Sequence, residues 1–101
     1  MFSLYKVRGE SMKPTLQPGD IVLLRKRPAY IGDVVVVDHV RFGIILKRID
    51  ANRQLIGDGP ASTPSDELGP YKPSTLIGTA ILAITPRGIR RLSARRSGIR
   101  A

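Results

Sequence analysis

The sequence predicts an all-β fold. Short apolar runs are separated by turn signals every eight to twelve residues, helical periodicity is almost absent, and 18 of the 101 residues are Gly or Pro. Leu16-Gln17 leads into the turn Pro18-Gly19-Asp20, and Ile21-Val22-Leu23-Leu24 then reads as the first strand, ending in the loop Arg25-Lys26-Arg27-Pro28. Ile31-Gly32-Asp33 turns the chain again. The run Val34-Val35-Val36-Val37 is β-branched throughout, which predicts a strand buried on both faces. Phe42 to Ile49 is the next strand, and Ala51-Asn52-Arg53 is a hairpin turn into Gln54-Leu55-Ile56. Gly57-Asp58-Gly59-Pro60 opens a loop that reaches Pro73, long for so small a domain and therefore a place to look for function. Thr75 to Ile84 closes the sheet. The expectation is one β domain over residues 1–85 with six to eight short strands, Ser11 near its N-terminal edge and Lys47 on a central strand.

Composition excludes several chemistries. There is no Cys and a single His, which removes disulfides, thiolate metal sites, cysteine nucleophiles and histidine-rich metal centres, so no metal or cofactor is expected. The longest uncharged stretch, Pro73 to Pro86, has 14 residues, short of the roughly 20 that span a bilayer. MFSLYKVRGE has no apolar core region of a signal peptide, and a cytoplasmic location is the expectation. The net charge of +9 is uneven: Arg87, Arg90, Arg91, Arg95, Arg96 and Arg100 fall in the last 16 residues with no acid among them. Residues 1–85 then hold 11 basic and 8 acidic groups, only +3. Residues 86–101 are expected to be a flexible, solvated basic tail, with Ile89 and Leu92 as a short helical stripe and weak contact with an anionic surface as its functional use. No specific nucleic-acid partner is implied, and the oligomeric state is open.

With those routes closed, hydrolysis would need a Ser or Thr activated by a Lys. In Gly9-Glu10-Ser11-Met12-Lys13-Pro14-Thr15-Leu16 a serine sits in a tight segment before the first strand. Gly9 lets a substrate carbonyl approach the backbone, and the N–H groups around Ser11 can face an oxyanion; the plainer alternative is that Ser11 caps a turn. A lysine acting as base must be neutral near pH 7, which requires burial. In Ile44-Ile45-Leu46-Lys47-Arg48-Ile49-Asp50 the period of two puts Lys47 on the face of Ile45 and Ile49, with Arg48 and Asp50 on the wet face. The alternative is a lysine snorkelling at a sheet rim. His39 follows Asp38 in a strand, so the two point to opposite faces and cannot serve one site; it is expected to be a surface or hairpin histidine.

These residues carry a resemblance. G-E-S-M-K-P-T-L, P-G-D-I-V-L, G-D-V-V-V, I-L-K-R-I and G-D-G-P, in that order over about residues 6–82, are similar to the boxes of the type I signal peptidase family, Ser/Lys peptidases that share a catalytic β fold with LexA-type repressors. The resemblance implies a signal peptidase/LexA-like catalytic β domain with a basic C-terminal tail. Ser11 would be the nucleophile and Lys47 the general base, 36 positions apart. Gly9, Glu10 and Met12 would support the oxyanion site, and Ser62 falls where the family has a hydroxyl that orients the lysine. The family's Gly-Asp-Asn reads Gly57-Asp58-Gly59 here, and the acid and arginine of the following box are replaced by Pro64 and Asp66, so an ion pair near the site is expected to be missing. Gly9 stands where some signal peptidases have an oxyanion-hole serine, leaving backbone donors.

From the ten residues ahead of Ser11, neither a membrane anchor nor an upstream DNA-binding domain with an Ala-Gly cleavage segment is expected. The expectation is therefore a small soluble peptidase resembling those that mature nickel-type superoxide dismutase, a serine endopeptidase that removes a leader from a precursor polypeptide. A signal-peptidase-like protease of other substrate and a catalytically silent β-sheet module that binds peptides are the alternatives.

Overall fold

Antiparallel pairing organises the chain from its second residue. The computed structural model describes residues 1–60, 65–92 and 99–101. Seven strands follow in sequence: β1 (Phe2–Lys6), β2 (Ile21–Arg25), β3 (Val34–His39), β4 (Gly43–Ile49), β5 (Leu55–Ile56), β6 (Leu76–Thr85) and β7 (Gly88–Arg91), with a short helix α1 (Ser65–Leu68) and a 3₁₀ turn (Pro73–Thr75) before β6. The sheet order is β1-β2-β6-β3-β4-β5, and β7 pairs with the distal half of β6. The all-β class and the five strands read from the sequence are present.

The β3 valines show why the run is entirely β-branched. Val34 and Val36 enter one core cluster, with Val7, Met12, Leu16, Val22, Leu24 and Leu46, while Val35 and Val37 enter another on the opposite face, with Ile49, Leu55, Leu68 and Tyr71. All four are fully buried, so a strand with a wet face would have left half of them in water. The segment 7–20 roofs the first cluster, and the loop after β5 roofs the second through Leu68 and Tyr71. That loop is tied down at its far end: Leu55 N–H donates to Gly69 O at 3.0 Å and Tyr71 N–H to Arg53 O at 2.8 Å.

Two of the three Gly-Asp pairs do the same local job. The Asp20 and Asp33 carboxylates accept the N–H of the residue three positions back, Gln17 at 2.9 Å and Tyr30 at 2.8 Å, and so close the turns that launch β2 and β3. Gly19 and Gly32, at φ of 94° and 93°, supply the left-handed step ahead of each aspartate.

Four expectations change. β1 was not anticipated: its side chains are mostly exposed, and what fixes it is the ladder to β2 from Phe2↔Arg25 to Lys6↔Ile21. Residues 86–101 are not a free tail throughout, because Gly88–Arg91 is a strand on β6, not a helical stripe. Ile31 N–H donates to Ile99 O and Ala101 N–H to Ala29 O, both at 3.0 Å, so the last residues also pair with the body. Lys47 lies on β4, next to the β5 edge rather than at the sheet centre. Arg48 does not lie on a wet face but is half-buried by partners described below. His39 closes the β3–β4 hairpin: its Nδ1 accepts the N–H of Arg41 at 3.0 Å and of Phe42 at 3.2 Å, which leaves Nε2 to donate to Leu68 O at 2.6 Å.

Candidate active site

Gly9 to Leu16 forms a run of turns between β1 and β2. Gly9 takes φ 70°, a left-handed conformation that turns the chain out of β1, and the Lys13–Pro14 peptide is cis. Lys13 N–H donates to Glu10 O at 3.2 Å and Leu16 N–H to Met12 O at 2.9 Å. Met12 is buried in the first core cluster and anchors the turn beside Ser11, which is half-exposed. Among the described residues no hydrogen bond takes up the N–H of Ser11 or Met12. The Glu10 carboxylate pairs with Lys13 at 3.6 Å on the exposed side of the turn.

Lys47 is 6% exposed. Its neighbours Ile45 and Ile49 pack in the second cluster, on the face the strand period indicated. Burial pushes its ammonium pKa down, and none of the four ion pairs among the described residues offers it a counter-charge. β5 pairs with β4 at Arg48 and Ile49, and among the described residues no strand pairs with the outer backbone edge of β4 from Lys47 back to Gly43.

What joins the serine turn to β4 is a network the sequence reading did not assign. Arg48 Nε and Nη2 donate to Asp58 Oδ1 and Oδ2, each at 2.8 Å, and Nη1 donates to Gly32 O at 2.6 Å. Thr15 Oγ1 donates to Asp58 Oδ2 at 2.6 Å, so one carboxylate holds both β4 and the end of the serine turn. Burial opposes the Asp58 charge, but the hydrogen bonds from Arg48 and Thr15 and the guanidinium charge outweigh it and hold the carboxyl below its usual range. Next along, Gly59 N–H donates to Ser11 O at 2.8 Å. A Cβ on Gly59 would stand 2.6 Å from Lys13 O and 3.0 Å from Glu10 O, which explains why this position has no side chain. The ion pair expected to be missing at Pro64 and Asp66 falls outside the described residues and side chains, and Arg48–Asp58 is a separate pair, at 2.8 Å. The signal was the third Gly-Asp pair together with the arginine after Lys47.

The structure thus brings the Ser11 turn, Gly59, Asp58 and Arg48 into one connected set, whereas Lys47, the neighbour of Arg48 on β4, lies on the opposite face of that strand with Ile45 and Ile49. No hydrogen bond among the described residues joins Ser11 to Lys47. Ser62 and Pro64 lie outside the described residues, as does the side chain of Asp66. No group of three or more His, Cys, Asp or Glu suited to a metal ion occurs among the described residues, and no helix there is long and apolar enough to cross a membrane.

No curated protein and no solved structure significantly matches the chain. A family model described as Peptidase S24-like matches residues 2–61, a span that runs from β1 through the Ser11 turn, Lys47 and the Gly57-Asp58-Gly59 corner. With most of its length inside that match and an antiparallel all-β sheet beneath it, the chain belongs to the Peptidase S24-like family.

Proposed function

We propose that the chain is a serine endopeptidase in which Ser11 attacks a peptide carbonyl and Lys47, unprotonated, takes the hydroxyl proton. The lysine then gives that proton to the leaving amine, and water, deprotonated in turn by Lys47, releases the acyl group from Ser11. The burial of Lys47, with no counter-charge among the described residues, carries this reading, since it favours the neutral amine a base requires. The Ser11 and Met12 N–H groups are the candidate oxyanion donors, and the outer edge of β4, unpaired from Gly43 to Lys47 among the described residues, suits an extended peptide added as a strand. Removal of a leader from a precursor polypeptide, of the kind performed by the signal-peptidase-like enzymes that mature nickel-type superoxide dismutase, is the substrate class we favour. Its support is the order of the sequence boxes.

The test is cleavage of a library of extended peptides with small residues before the scissile bond, read by mass spectrometry. Ser11→Ala and Lys47→Arg should each abolish cleavage with the fold intact, because a guanidinium stays protonated. Full cleavage by Lys47→Arg would remove Lys47 as base. The absence of a Ser11–Lys47 hydrogen bond favours a second reading, a silent peptide-binding module; it predicts peptide binding, unchanged by Ser11→Ala, with no product at any pH.

A further inference from the structure

Among the described residues, the sheet face on which Lys47 lies is covered over β3 and β4 and open over β1, β2, the distal half of β6 and β7. Antiparallel partners share a face, and the register aligns two rows there: Leu4, Leu23, Leu82 and Arg91, then Lys6, Ile21, Ile84 and Ile89. Phe2 lies beside them, opposite Arg25, whose guanidinium carbon sits 5.8 Å from its ring centroid. Phe2, Leu4, Ile84 and Ile89 are 57%, 64%, 40% and 66% exposed, an apolar surface across four strands rather than scattered single residues. Its charges have one sign. Lys6, Arg25 and Arg91 rim the patch, and none of the chain's acidic residues lies on any of these four strands.

We propose that this face docks on an anionic lipid surface, with the Phe2–Leu4–Ile84–Ile89 patch entering the headgroup boundary and Lys6, Arg25 and Arg91 contacting lipid phosphates. An apolar centre with an all-cationic rim is the combination such a surface rewards, through buried apolar area and Coulomb attraction together. A second copy of the chain fits worse, because a two-fold contact would set each cationic rim against itself. The contact belongs to the folded sheet and differs from adsorption of the arginine-rich segment near the C-terminus, which would need charge alone.

The test is sedimentation of the full chain with vesicles of phosphatidylcholine alone and of phosphatidylcholine with phosphatidylglycerol. Binding is expected to the anionic vesicles only. The triple variant Phe2→Ser/Leu4→Ser/Ile89→Ser keeps every charge, and it should weaken that binding by about tenfold or more. Equal binding by wild type and triple variant would reduce the effect to charge adsorption and overturn the proposal, as would no binding to anionic vesicles. The chain has no Trp, so Leu4→Trp gives a second readout that does not depend on the triple variant folding. A blue shift of its emission on anionic vesicles supports insertion, and an unchanged spectrum refutes it. A wild-type dimer in sedimentation velocity that the triple variant loses would assign the face to a second copy instead.

Discussion

Lys47 costs the fold something that an apolar residue of its length would not. Its folded-state pKa lies below its unfolded value, so the unfolded chain holds the proton more tightly. The penalty is full at pH values below the folded pKa and vanishes as the pH rises through the unfolded one. Lys47→Met should therefore raise stability at neutral pH, by about 1 kcal/mol, and the gain should shrink toward alkaline pH; urea unfolding of both proteins across that range measures it. Asp58 has the opposite sign. Its carboxyl is held below the usual range, so its stabilisation is present above the unfolded pKa and lost as the pH falls through the folded one. Asp58→Asn should cost about 2 kcal/mol at pH 7, because it leaves the half-buried Arg48 guanidinium without its carboxylate, and the gap to wild type should close in acid.

The β6–β7 hairpin makes an element-scale prediction. β7 pairs with β6 from Leu82↔Arg91 to Thr85↔Gly88, Leu92 packs on the first core cluster, and Arg90 donates a hydrogen bond to the Thr15 carbonyl at the end of the serine turn. Ending the chain at Pro86 removes all three contacts and bares the β6 edge. The truncated chain should be less stable by about 1–3 kcal/mol in urea unfolding. Exchange protection should fall at the amide of Leu16, whose bond to Met12 closes the same turn. A tail that hung free of the sheet would change neither quantity.

Across the whole molecule, β3 lines both core clusters, so neither can open while the other keeps its wall. Tyr5 packs against the first cluster and Tyr71 lies in the second, and each reports on its own side of the sheet. Tyrosine emission of Tyr5→Phe/Tyr30→Phe, which keeps Tyr71, and of Tyr30→Phe/Tyr71→Phe, which keeps Tyr5, each followed through urea unfolding, should track one transition coincident with the far-ultraviolet signal of that variant. Separate midpoints would mean that the clusters unfold independently.

Local pattern was enough for much of this. The valine run, the hairpin at Ala51-Asn52-Arg53 and the Gly-Asp turns depend on neighbours a few residues apart, so period and turn chemistry reveal them in the bare string. The face of Lys47 was legible for the same reason, since a strand's period of two leaves one choice. β1 was not, because its side chains gain little burial and only a ladder to β2, some nineteen residues on, holds it. The arginines after Pro86 read as a solvated tail by charge, yet backbone pairing to β6 is indifferent to the side chains that point away from it. Arg48, Asp58 and Thr15 lie 10 and 43 positions apart along the chain. Their union in one hydrogen-bonded set is a property of packing, and only the folded sheet, by bringing the serine turn against β4, decides it.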